Sequence, residues 1–103
     1  MAKQFINPDV NPQGFLIIEA TAEDFTSRCN FGINGQIICD YCVHVPDNNE
    51  TCYYVAVLDC IICKDCLESV LRILPIRYTE DIPYEIRKYN IAAAELCIPM
   101  IED

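Results

Sequence analysis

Eight of the 103 residues are cysteines, and six of them, Cys39, Cys42, Cys52, Cys60, Cys63 and Cys66, fall within 28 residues, while Cys29 and Cys97 stand apart. Inside the cluster two close pairs, Cys39-Asp40-Tyr41-Cys42 and Cys63-Lys64-Asp65-Cys66, are separated by 20 residues. Two thiolates spaced by two residues on a tight turn can face one ion, and two such pairs close a tetrahedral shell with metal–sulfur bonds of about 2.3 Å. A shell filled by four thiolates has no open position, which points to one structural zinc per chain on Cys39, Cys42, Cys63 and Cys66.

Competing assignments need weighing. Cys60-Ile61-Ile62-Cys63 is itself a two-residue-spaced pair, but Cys66 stands where the apolar stripe of a helix begins, so helix N-terminal N–H groups can bond the thiolates there. Cys66 is therefore preferred over Cys60. Cys52, Cys29 and Cys97 are expected as small core residues. His44, the only histidine, stands two residues beyond Cys42, and with the shell already full it reads as an exposed strand residue. Tyr53 and Tyr54 are expected to pack one inward and one over the zinc segment, rather than to form a stacking surface. The same paired thiols also suit a thiol-switch protein, the first alternative to a structural site.

The charge balance narrows the partners. Sixteen acids against seven bases give a net charge of -9, and four thiolates with one divalent ion would take it to -11. Sequence-nonspecific attraction to phosphate backbones is the wrong sign here, so a nucleic-acid-binding finger is disfavoured. A single histidine and no nucleophile with a base at usable spacing leave no basis for an enzyme. A non-enzymatic protein-interaction module is the expected function. No apolar run approaches the roughly 20 residues of a membrane span, and the N-terminal residues do not read as a secretory signal, so a cytoplasmic address with reduced thiols is expected.

The elements that must position the cysteines follow from the remaining pattern. Residues 1–13, with Pro8, Pro12 and two asparagines, look like a loosely held arm. Residues 15–20 read as a strand, and Thr21-Ala22-Glu23-Asp24 as a helix start, with a short helix over 22–29 ending near Asn30 or Gly32. Residues 52–58 are rich in strand formers and are expected to pair with residues 43–45 across the turn Pro46-Asp47-Asn48-Asn49-Glu50. Leu67, Val70, Leu71 and Leu74 form a stripe that Pro75 ends, with Glu68 and Arg72 as a surface pair. Pro83 opens a last helix over 83–96, striped by Ile82, Ile86, Tyr89, Ala93 and Leu96. The apolar residues 96–101 leave self-association open as a further contact.

A turn with two cysteines, a hairpin, then a helix whose first turn supplies two more resembles the treble-clef zinc finger, over residues 37–74. Cys39-Asp40-Tyr41-Cys42, residues 53–59, the second cysteine pair and Glu80-Asp81-Ile82-Pro83-Tyr84-Glu85 also resemble a group of small uncharacterised bacterial and phage proteins, over residues 37–90. The resemblance implies a structural zinc on the same four cysteines and no known activity. The fold class expected is α+β: one domain over 1–103, a treble-clef module extended by an N-terminal strand and short helix and by a C-terminal helix.

Overall fold

The computed structural model describes residues 2–29 and 36–102. Four antiparallel strands form one sheet in the order β1 (Lys3–Gln4), β2 (Ile17–Thr21), β3 (Thr51–Val55) and β4 (Cys60–Cys63). Three helices accompany it, α1 (Ala22–Arg28), α2 (Leu67–Ile73) and α3 (Ile82–Glu95). None of these helices is long and apolar enough to cross a membrane.

Strand geometry sends successive side chains to opposite faces, and here both faces are buried. Leu16, Ile18, Ala20, Cys52, Tyr54 and Ile61 pack under α1 and α3. Ile17, Tyr53, Val55 and Ile62 pack under α2 together with Cys39, Cys63 and Cys66. The molecule is thus three layers, with the cysteine cluster in the α2 layer. Tyr53 and Tyr54 fall on opposite faces, each buried. Neither offers a surface for stacking.

The helices form where their end signals lie. Thr21 caps α1, its hydroxyl oxygen accepting from the Asp24 N–H at 3.2 Å. The expected stop at Asn30 or Gly32 lies outside the described residues. Pro83 stands in the first turn of α3, and Tyr89, Ala93 and Leu96 are buried along the expected stripe. Glu68 and Arg72 approach to 3.8 Å on the exposed side of α2.

The expected strand pairing is corrected. Residues 43–45 are not a strand; β3 pairs instead with β2 on one side and β4 on the other, with Tyr54 opposite both Ile18 and Ile61. The strand expected over 52–58 stops at Val55 because residues 56–58 coil into a 3-10 turn and Asp59 takes a left-handed conformation, φ 51°. That reversal lets Cys60-Ile61-Ile62-Cys63, rich in β-branched residues, return as β4. At the N-terminus, β2 starts at Ile17 rather than 15 because Phe15 bonds elsewhere: its N–H and carbonyl both bond the Asn11 side chain, at 3.0 and 2.8 Å. The described part of the arm is anchored by those bonds and by β1. The tail folds back too, its Ile101 held in two hydrogen bonds by the Asn90 side chain.

Candidate metal centre

Cys39 and Cys42 lie on a knuckle closed by two backbone bonds: the Cys39 N–H donates to the His44 carbonyl at 2.8 Å, and the Val43 N–H to the Cys39 carbonyl at 2.9 Å. Val43 makes this reversal at φ 65°, the left-handed region that β-branched residues rarely enter. The knuckle is bound to the free edge of β4. Asp40 donates its N–H to the Ile61 carbonyl at 3.0 Å and accepts the Ile61 N–H on its carboxylate at 2.9 Å. Asp40 therefore fixes the height of one cysteine pair relative to the other.

The second pair straddles the end of β4. Cys63 is its last residue, and a 3-10 turn over Lys64–Cys66 brings Cys66 round to the start of α2. The Cys42 and Cys63 sulfurs are 3.7 Å apart and those of Cys63 and Cys66 3.5 Å. All four sulfurs lie within 4.8 Å of one another. A disulfide would need about 2.05 Å, so the thiols are unlinked; a tetrahedron of 2.3 Å bonds has edges of about 3.8 Å, which these separations fit. The donors suit the group: four thiolates in tetrahedral array are a site for zinc or iron.

The same geometry excludes Cys60. Residues Cys60–Cys63 are an extended strand, and at about 3.3 Å of rise per residue their ends are too far apart to grip one ion. His44 is also elsewhere, exposed, with its Nε2 3.4 Å from a Glu50 carboxylate oxygen. Among the described residues no other group of three or more metal-ligating side chains gathers.

The electrostatics favour ionisation of Cys39 ahead of Cys63 and Cys66. Burial opposes ionisation of Cys39, but the N–H groups of Cys42, Cys63 and Tyr41 outweigh it and lower the thiol to about 7; the Cys63 N–H lies 3.3 Å from the sulfur. Burial pushes Cys63 and Cys66 up, and the neighbouring sulfurs reinforce it at Cys66. A divalent cation reverses that balance, since ligation removes the thiol protons.

Outside the cluster, burial pushes the Cys52 and Cys29 thiols to about 12 and Cys60 to about 11. Cys52 is fully buried opposite Cys63 in the sheet. Cys97, expected in the core, is instead exposed at φ 61°, just past the end of α3. The chain matches no protein-family model, no curated protein and no solved structure, so neither resemblance drawn from the motifs gains a relative.

Proposed function

We propose that Cys39, Cys42, Cys63 and Cys66 hold one structural zinc ion in a treble-clef arrangement, and that the chain is a non-enzymatic protein-interaction module. The observation that carries the reading is the gathering of four sulfurs from two separated turns within 4.8 Å. The knuckle, the β3–β4 hairpin and α2 follow one another in treble-clef order, with the second pair at the hairpin's exit. Four protein ligands leave a zinc ion no position for substrate or water, so its role is to order the fold. Such ions contribute on the order of 10 kcal/mol to folding in finger peptides, comparable to a whole domain's margin.

Metal content of single-cysteine variants tests the assignment. Protein purified under reducing conditions should carry one zinc per chain, retained in Cys60→Ser and Cys97→Ser and lost together with cooperative unfolding in Cys39→Ser and Cys66→Ser. Equal zinc in all four variants would reject it. The thiol-switch reading is favoured by one observation, the unlinked sulfurs of Cys42 and Cys66 lying 3.7 and 3.5 Å from that of Cys63. It would prevail if the reduced protein came without metal yet formed a reversible disulfide between these pairs.

A further inference from the structure

The knuckle exposes more apolar surface than its own turn requires. Tyr41, Val43 and Val45 are 50%, 73% and 45% exposed within five consecutive residues. Two backbone bonds and the Asp40 contacts with Ile61 hold the loop in place, so these side chains are presented on a preorganised support and little ordering cost remains for a partner to meet. A valine stands in the left-handed region at Val43, where glycine would be unstrained, and it is the most exposed of the three.

Charge selects what could cover this tip. Five of the chain's seven bases, Lys3, Arg28, Arg72, Arg77 and Lys88, lie within 4.0 Å of a carboxylate, so their charge is locally offset. The knuckle, the turn after it and the 3-10 turn before α2 carry Asp40, Asp47, Glu50 and Asp65 against Lys64 alone. A zinc ion with four thiolates adds two further negative charges. Nucleic acid and acidic proteins are repelled by such a surface, and so is a second copy of this chain, which would bring the same sign to the contact.

We propose that Tyr41, Val43 and Val45 form a docking surface for a basic peptide segment carrying aliphatic side chains. The inference rests on the zinc module proposed above and adds the chemistry of its partner. The aliphatic groups cover the tip, while lysines or arginines on either side meet the acids around it, giving an interface with an apolar centre and a charged rim.

The test is fluorescence anisotropy of a labelled octapeptide of alternating lysine and leucine, titrated with the zinc-loaded full chain. Binding should weaken at least about tenfold in the Tyr41→Ser/Val43→Ser double variant, from the lost apolar contact. Asp47→Asn/Glu50→Gln should weaken it and flatten its salt dependence, whereas Glu80→Gln/Asp81→Asn, which removes the same charge at the start of α3, should change it by less than about twofold. Equal losses from the two acid pairs, an unaffected serine variant, or sedimentation showing dimers that Val43→Ser dissolves would each overturn the proposal. A zinc-loaded, cooperatively folded chain that ignores the peptide overturns the docking surface alone; a chain purified without metal overturns the module reading as well.

Discussion

At Val43 the demands of the knuckle and of the side chain conflict. The turn after Cys42 requires a left-handed residue, φ 65°, and a β-branched side chain there costs about 1–2 kcal/mol. Val43→Gly removes the clash, partly offset by glycine's greater freedom when unfolded. The expected result is a urea midpoint raised by up to about 1 kcal/mol in stability, with zinc stoichiometry unchanged; a lower midpoint would mean that the exposed valine packs usefully. Spacing alone made the four candidate ligands legible, because a tetrahedral ion constrains sequence separation on a turn. The same arithmetic could not separate Cys60 from Cys66. The start of the apolar stripe at Leu67 favours Cys66, and the β3–β4 pairing, by extending residues 60–63, gives the physical reason.

Among the elements, the helices were legible and the hairpin was not. Helices α2 and α3 carry a 3.6-residue stripe and proline punctuation, signals local to each segment. Strand β4 is four apolar residues beside a metal motif, and the turn at 46–50 makes residues 43–45 the expected partner of the strand over 52–58; the left-handed Asp59 that makes the real hairpin has no such signature. Long-range polar ties are equally invisible. Glu85 of α3 is fully buried, accepting the Leu16 N–H at 2.7 Å and the Arg77 guanidinium at 2.9 and 2.8 Å. The acceptor and the Leu16 donor lie 69 residues apart. Glu85→Ala leaves that N–H and the half-buried guanidinium unmatched and should cost about 3–5 kcal/mol in urea unfolding, more than Arg77→Ala, whose loss leaves the Leu16 bond in place. A cost under about 1 kcal/mol, the level of a surface ion pair, would show that water replaces these contacts.

For the whole molecule, the central sheet separates two cores that respond to different chemistry. Chelation should loosen the α2 layer first, because Cys39, Cys63 and Cys66 belong to it. Hydrogen exchange should then show α2 and β4 amides losing protection before those of α1 and α3; simultaneous loss would mean that the sheet couples the layers fully. The α1 and α3 layer has its own sensitivity, to alkali. Cys29 ionises at about 9 when exposed and about 12 in the fold, mainly through burial, with Glu95 adding to it. Below pH 9 both states keep the proton and the thiol contributes no pH dependence. Between 9 and 12 only the unfolded chain releases it, so stability falls with rising pH by at most about 1.4 kcal/mol per unit for each such group. Cys52, raised to about 12 by burial, adds a second group with the same sign, and Tyr54, pushed up from 10 by burial and by its hydrogen bond to Asp59, joins above pH 10. In urea titrations from pH 8 to 10, Cys29→Ala should therefore start less stable, for want of the buried sulfur, but show a shallower decline. A decline as steep as that of the unsubstituted chain would mean that the Cys29 thiol ionises inside the fold.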